Sequence, residues 1–142
     1  MKKLILPLML STAALTACST ISNSEPVEKR DDLKHICIKD SANPPITDFS
    51  NYLANSLNKK GITSEKGLDY AASCKYVLAY SLRAEDGYVL RAKLRLSEIQ
   101  GDTRSNIGEV SYKQRGDEKD NVKVTGVQGQ TDLMINDLLQ NY

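Results

Sequence analysis

Residues 76–96 of this 142-residue chain read YVLAYSLRAEDGYVLRAKLRL, and two runs within them carry large apolar residues at every second position. Alternation of apolar and polar side chains is typical of strands that bury one face and leave the other in water. The turn-forming triplet Glu85-Asp86-Gly87 separates the two runs. The stretch therefore predicts a β-hairpin whose even-numbered apolar residues share one face.

Parity restricts the register of this hairpin. The two apolar sets share a face only if residues of the same parity pair across the strands, which requires a loop of odd length. A three-residue loop, Glu85–Gly87, meets this requirement with its glycine in the left-handed conformation. The predicted register pairs Ala84 with Tyr88, Leu82 with Leu90 and Tyr80 with Ala92.

A row of basic residues, Arg91, Lys93 and Arg95, alternates with the apolar residues of the second run. The row is expected on the outer face of the hairpin, beside the small or apolar residues Ser81, Ala79 and Val77. Such a row could bind an anionic glycan, a lipid headgroup or an acidic partner. The alternative is that long basic side chains cover a solvent-exposed sheet face and bind nothing.

Upstream of the hairpin, the pattern predicts a strand, a turn, a helix and a short edge strand. His35–Lys39 is β-branched and apolar enough for a strand, and the Asn43–Pro45 turn follows it. The short edge strand is expected over Ile62–Ser64. The helix between them ends before Gly61 and has apolar residues at spacings of three and four, namely Ile46, Phe49, Leu53 and Leu57.

Downstream, a third strand is expected over Ile107–Lys113, followed by a solvated stretch over Arg115–Asn121. Val122–Val127 is consistent with a short strand or an extended loop. A final helix carries Met134, Ile135, Leu138, Leu139 and Tyr142 on one face. The order β-α-(β)-β-β-β-α predicts an α+β two-layer sandwich, in which two helices cover one face of a mostly antiparallel sheet of about four strands.

The N-terminal segment has the features of an export signal. Two lysines precede an apolar stretch over Leu4–Leu10, which is shorter than the roughly 20 residues that a membrane-spanning helix needs. Leu15-Thr16-Ala17-Cys18 resembles the lipobox of bacterial lipoproteins, in which the cysteine is diacylated and the chain is cut before it. Residues 1–17 are therefore predicted to be a cleaved signal peptide, with Cys18 as the lipidation site.

Acyl chains on Cys18 would make the membrane the first partner of the chain, because two or three such chains anchor a protein stably. Ser19 resembles the sorting signal of enteric lipoproteins at the periplasmic face of the outer membrane. Residues 18–33 are rich in Ser, Asn, Glu and Pro, and they are predicted to be the lipidated cysteine and a flexible tether. Residues 34–142 are the predicted single periplasmic domain.

Composition restricts the classes of function. Loss of residues 1–17 removes two of the 19 basic residues and leaves 17 against 18 acidic ones, so no charge argument favours a nucleic-acid partner. The chain has one histidine, His35, which with Cys37 and Cys74 gives too few ligands for a zinc site. We expect no metal, no cofactor and no catalytic residue. A hydrolase built on paired carboxylates is the remaining enzymatic alternative.

Cys37 and Cys74 are the two thiols that remain after acylation of Cys18. Exported proteins meet an oxidising compartment in which paired thiols form disulfides. A bond would join the first predicted strand of the domain to the start of the hairpin. The chain lacks a Cys-x-x-Cys motif, which argues against a redox role. Two separately buried thiols remain the alternative.

The order of these motifs resembles a family of small uncharacterised proteobacterial lipoproteins. The shared features are the lipobox, the cysteine-containing strand His35–Ile38, the Asn43–Pro45 turn, a helix, and a Cys-x-Tyr-x-Leu-x-Tyr strand over 74–80. The resemblance covers most of residues 34–142. It implies the α+β fold and the disulfide, and it implies no activity.

Together these features predict a membrane-anchored lipoprotein whose domain is a non-enzymatic binding or assembly module. Arg91, Lys93 and Arg95 are the candidate contact residues. The expected partner is an envelope protein or an anionic glycan. The alternative is a structural or envelope-stress lipoprotein whose surfaces bind no specific partner.

Overall fold

Within residues 21–68 and 73–142, which a computed structural model describes, the chain forms a six-stranded mixed sheet and two helices. The sheet order is β1-β6-β5-β4-β2-β3. The α+β class is as predicted, but the sheet has more strands than the four or so expected. The elements are β1 (Ile21–Glu25), β2 (His35–Lys39), α1 (Phe49–Lys59), β3 (Thr63–Gly67), β4 (Tyr76–Glu85), β5 (Tyr88–Gln100), β6 (Thr103–Lys113) and α2 (Lys119–Leu138).

Both helices pack against one face of the sheet, which we call the inner face; the opposite one is the outer face. The Phe49 ring of α1 lies 5.0 Å from the Tyr80 ring of β4. Even-numbered apolar residues of the three central strands face the helices, as the alternation predicts. The buried core includes Leu78, Leu94, Leu96, Val110, Tyr112, Leu53, Leu57, Met134, Ile135 and Leu138.

β4 and β5 form the predicted hairpin, and the expected parity of its register is confirmed. The loop has two residues, Asp86 and Gly87, rather than three. Both have positive φ, 54° and 82°, as a type I′ turn requires. The register therefore differs from the predicted one, by one residue at Ala84, which pairs with Val89 rather than Tyr88, and by two residues further along the strands. Leu82 pairs with Ala92 rather than Leu90, and Tyr80 pairs with Leu94 rather than Ala92.

A β-bulge at Leu90 explains how a two-residue loop preserves this parity. Arg83 pairs with Arg91 and Ala84 with Val89, so Leu90 is the extra residue of β5. One extra residue in the strand has the same effect on parity as one extra residue in the loop. The apolar residues of β5 beyond the bulge consequently face the helices.

The buried side chain of Gln130, from α2, completes the hydrogen bonding beside the bulge. Its Oε1 accepts from the Val89 N–H at 2.9 Å, while its Nε2 donates to the Val89 carbonyl and to the Tyr112 hydroxyl, both at 2.8 Å. β6 ends at Lys113, which lies opposite Arg91. The Gln130 amide therefore takes the place that a further strand residue would occupy next to Val89.

β2 is parallel to both of its neighbours, which makes the sheet mixed. Its pairing with β4 has only two register positions, and Cys37 lies opposite Val77 in one of them. α1 is the crossover between β2 and β3, and Gly61, with a φ of 75°, follows the helix as expected. The edge strand predicted at Ile62–Ser64 is β3, which begins one residue later and is longer.

A disulfide joins Cys37 of β2 to Cys74, which precedes β4. The pair lies on the outer face with Val77 and Ile99, in a small apolar cluster separate from the main core. β2 and β4 have fewer paired positions than any other two neighbouring strands of the sheet, and the bond strengthens this junction. The predicted pairing of the two cysteines is confirmed.

The prediction of a flexible tether over residues 18–33 is wrong from Ile21 onward. Residues Ile21–Glu25 form β1, an edge strand that pairs antiparallel with β6. Val27 and Leu33 are both buried in the core. The segment resembles a linker because an edge strand is held by backbone hydrogen bonds and needs few apolar side chains. Only residues 18–20 of that predicted tether lie outside the described part of the chain.

Val27 fixes this N-terminal segment to the other end of the domain. Its N–H donates to the Leu138 carbonyl at 2.9 Å, and its own carbonyl accepts from the Asn141 side-chain amide at 3.0 Å. The Val27 side chain packs directly on Gly108 of β6. A Cβ at Gly108 would lie 2.4 Å from a Val27 methyl carbon, so the close approach requires glycine.

The region before the final helix also differs from the prediction. Residues 115–121 are mostly exposed, as expected, but a 3₁₀ turn at Gly116–Glu118 leads directly into α2, so the strand or loop expected over Val122–Val127 is wrong. Gly126, with a φ of 69° and a ψ of −172°, breaks α2 near its middle. The first half of α2 buries Val122 but leaves Val124 exposed, so its sequence lacks the apolar periodicity that identifies a helix.

Replacing Gln130 by alanine should lower the free energy of unfolding by about 2–4 kcal/mol, because the buried N–H and carbonyl of Val89 lose their partner. Urea unfolding followed by circular dichroism measures this change. Gln140→Ala, at an exposed position just after α2, is the control and should shift stability by less than about 0.5 kcal/mol. Equal stability of the two variants would contradict the role given to Gln130.

Removing the disulfide with Cys37→Ala and Cys74→Ala together should lower stability by roughly 4 kcal/mol, as loop entropy predicts for a sequence separation of 37 residues. Thermal and urea unfolding, with and without a reductant, measure the effect. The wild type should lose stability in the reductant and the double variant should not. A wild type whose stability is the same in both conditions would show that the bond contributes nothing.

Candidate functional site

A groove of about 360 Å³ lies on the outer face, where β1, β6, β5 and β4 run side by side. The residues from β4, β5 and β6 that give it its charge and hydroxyl groups are odd-numbered, so they project away from the helices. Ser22 of β1 borders the groove at the edge of the sheet. The basic and hydroxyl side chains that line it are Arg83, Arg91, Lys93, Lys113, Ser22, Ser81 and Ser111.

Three basic residues of the groove occupy neighbouring positions on three strands. Arg91 of β5 lies directly opposite Arg83 of β4 on one side and Lys113 of β6 on the other. All three side chains are exposed, and none forms an ion pair with another residue in the part of the chain that the structure describes. We call these three residues the cationic row.

Lys93 and Arg95, the other two residues of the predicted basic trio, have a carboxylate partner. Glu109 of β6 lies opposite Arg95; its oxygens are 2.9 Å from the Arg95 guanidinium and 3.3 Å from Lys93 Nζ. Hydrogen bonds from Arg95, and then from Lys93, hold the pKa of the Glu109 carboxyl below its usual value. Glu109 therefore offsets one of the two positive charges in this part of the outer face.

The predicted trio thus divides into two cations that share one carboxylate and one, Arg91, that has no acidic partner within the described ranges. The register correction also replaces the predicted neighbours of the trio, because Arg91, Lys93 and Arg95 lie beside Arg83, Ser81 and Ala79. Sequence reasoning missed Arg83 and Lys113 as site residues. Both have the odd parity of outward-facing residues, so parity would have identified their face, but only the register shows that they meet Arg91.

Hydroxyl groups border the cationic row along the groove. Ser81 and Ser111 lie opposite Lys93 on its two sides. Ser22, in the bulge of β1, donates a hydrogen bond to the Ser111 carbonyl at 3.2 Å, which connects the edge strand to the groove. Hydroxyls can donate to an anion that the cations attract. The groove therefore combines positive charge with neutral donors.

The groove lining contains no carboxylate, histidine or cysteine among the described residues. A set of guanidinium, ammonium and hydroxyl groups can bind the oxygens of a phosphate, sulfate or carboxylate through charge-assisted hydrogen bonds. It offers no group whose ordinary pKa suits proton transfer near neutral pH. The chemistry that this arrangement supports is anion binding.

A second polar cluster joins the N-terminal segment to the hairpin, and its charges are balanced internally. Arg30 pairs with Glu98, Lys75 pairs with Asp32, and the Tyr76 hydroxyl donates to Asp32 at 2.8 Å. Hydrogen bonds from Lys75 and Tyr76 lower the pKa of Asp32 below its ordinary value. Since each cation has an acidic partner, we assign this cluster a structural role.

One group of metal-ligating residue types lies near the disulfide. Side-chain atoms of His35, Cys37 and Glu65 are within 4.8 Å of one another. The Cys37 sulfur is bonded to Cys74 and is not a thiolate. This leaves His35 Nε2 and Glu65 Oε1, 3.6 Å apart and both exposed, whereas a structural zinc site needs four ligands. We therefore assign no metal to this group.

The predicted lipidation site, Cys18, lies outside the described residues, so acylation stays a prediction from the lipobox. Neither helix in the described ranges combines the length and apolar content that a bilayer crossing requires.

Comparison with known proteins identifies no family for this chain. Neither a protein-family model nor a curated protein matches it. Among solved structures, a dodecamer of a PelC variant from Paraburkholderia phytofirmans is similar over 84% of this chain and 95% of that chain, with 14% sequence identity and a TM-score of 0.45. This similarity is too distant to transfer a function, and the candidate site has to be interpreted from its own chemistry.

Proposed function

We propose that this chain is a membrane-anchored lipoprotein of the outer membrane whose domain binds an anionic group in the outer-face groove and catalyses no reaction. The lipobox at Leu15–Cys18 supports the anchor. The groove supports the binding role. The partner is an envelope component, whether protein, glycan or lipid, that presents phosphate, sulfate or carboxylate groups.

The cationic row is the observation on which this proposal depends. Like charges directly opposite one another in a sheet destabilise it. Arg83, Arg91 and Lys113 nevertheless occupy three adjacent positions without an acidic partner among the described residues. A bound anion would relieve this repulsion, and the repulsion would return each time the anion leaves.

The types of basic residue fit this role. Arg83 and Arg91 carry planar guanidinium groups that can donate paired hydrogen bonds to two oxygens of one anion, whereas Lys113 supplies a point charge. Ser81 and Ser111 add neutral donors on the same face. An anion with several oxygens, rather than a halide, would use all of these groups.

Retention on a dextran sulfate column tests whether the groove binds anionic groups. The full lipidated chain in a non-ionic detergent should be retained, whereas Arg83→Glu with Arg91→Glu should elute at much lower salt, because the row loses its positive charge. The matched control is Lys39→Glu with Lys123→Glu, which makes the same change in net charge at exposed positions outside the groove. Equal loss of retention in both pairs would show that the groove has no special affinity.

Crosslinking in intact cells tests whether the groove meets a specific envelope partner. A photoreactive residue at Ser81, inside the groove, should give a discrete product that disappears in the Arg83→Glu, Arg91→Glu background. The same residue at Asn58, exposed on α1, is the control position. Mass spectrometry identifies the product. A Ser81 product no stronger than that at Asn58 would favour the alternative of a structural lipoprotein.

Arg91→Gln should raise the free energy of unfolding by a few tenths to about 1 kcal/mol at low salt, because it removes the repulsion with both neighbours. The gain should shrink at high salt, which screens the charges. Arg95→Gln, which loses the Glu109 contact, is the control and should be neutral or slightly destabilising. Chemical unfolding at two salt concentrations measures both. A loss of stability for Arg91→Gln would contradict the unrelieved repulsion.

A further inference from the structure

We infer that the groove docks on the membrane that anchors the chain, with the phosphates of anionic lipid headgroups seated against the cationic row of Arg83, Arg91 and Lys113. This inference rests on the proposed function, because it requires both the acylated Cys18 and an anion-binding groove. It names the anion and gives the domain a fixed orientation on the bilayer.

The path of the chain brings the anchor to the groove. β1 begins at Ile21, which pairs with Tyr112, the neighbour of Lys113 in the cationic row. β1 runs antiparallel to β6, so the chain enters β1 at the end of the sheet where the row lies. The next residue, Ser22, lines the groove. The start of β1, three residues after Cys18, and the row are therefore at the same end of the sheet.

The length of chain before β1 limits how far the domain can be from the bilayer. Cys18 precedes Ile21 by three residues. Fully extended, three residues span at most about 11 Å. The flexible tether predicted from the sequence would hold the domain well clear of the headgroups, whereas pairing of Ile21–Glu25 with β6 leaves only Ser19 and Thr20 between the anchor and the sheet.

Charge complementarity selects the outer face as the surface that meets the headgroups. The chain without its signal is slightly acidic overall, with 17 basic and 18 acidic residues. The groove lining, in contrast, has four basic residues and no acidic one among the described residues. Glu85 and Asp86 lie at the tip of the β4–β5 hairpin. An anionic surface is therefore attracted to the face of the sheet rather than to its tip.

Quenching by spin-labelled headgroups tests this orientation. Ser81→Cys introduces a single reactive thiol, since Cys37 and Cys74 are bonded and Cys18 is acylated in the lipidated protein. A fluorophore on that thiol reports on the groove, and one on Asn58→Cys reports on the exposed surface of α1. The full lipidated chain is inserted into vesicles of phosphatidylethanolamine and phosphatidylglycerol, and separately into vesicles of phosphatidylcholine alone.

The groove fluorophore should be quenched about twofold more than the α1 fluorophore in the anionic vesicles, with a smaller difference in phosphatidylcholine. Arg83→Glu with Lys113→Glu should abolish the difference, because the row then repels the headgroups. Equal quenching at the two positions would overturn the inference. The inference would also be overturned if quenching at Ser81 depended neither on the charge of the lipid nor on the charge reversal in the row.

Inorganic phosphate tests whether headgroup phosphates are seated in the groove. At equal ionic strength phosphate should reduce the groove quenching more than chloride does, because phosphate competes for the guanidinium and hydroxyl donors whereas chloride only screens the charges. Equal effects of the two salts would show that no phosphate is seated in the groove, and the headgroup assignment would fail. Retention on dextran sulfate without apposition to the vesicles would leave the proposed function standing and reject only the membrane docking. Loss of both would reject the proposed function itself.

Discussion

The single extra residue at Leu90 determines which side chains of β5 lie on each face of the sheet. With the two-residue turn at Asp86-Gly87 and no bulge, the even-numbered residues of β4 would lie opposite the odd-numbered residues of β5. Arginine and lysine would then face the helices. The bulge shifts β5 by one position, returns its apolar residues to the core, and at the same time places Arg91 opposite Arg83. The bulge at Leu90 therefore determines both the apolar core on the inner face and the basic groove on the outer face.

The sequence was sufficient to predict the elements whose physics is local. Alternation predicts the hairpin, spacings of three and four predict α1, and two spare thiols predict the disulfide, all of which the structure contains. The exact register was not predictable, because a three-residue loop and a two-residue loop with a bulge obey the same parity rule. Arg83 therefore remained outside the predicted site, although its parity placed it on the correct face.

Other features depend on partners that are distant in sequence. β1 is held by backbone hydrogen bonds to β6, and such bonds leave no pattern of side chains from which a strand can be recognised. The pairing of Glu109 with Lys93 and Arg95 depends in the same way on the register of a third strand. Two of the three predicted contact residues consequently share one carboxylate, and the cations that lack an acidic partner within the described ranges lie at the next outward-facing position along the sheet.

The contacts of Val27 and Arg30 affect the order in which parts of the domain can fold. Val27 bonds to Leu138 and Asn141, and the Tyr142 hydroxyl accepts from the Arg30 N–H at 2.8 Å. A chain is synthesised from its N-terminus, so Val27 and Arg30 are made well before their partners Leu138, Asn141 and Tyr142. The attachment of the segment after β1 is therefore coupled to the formation of the far end of α2.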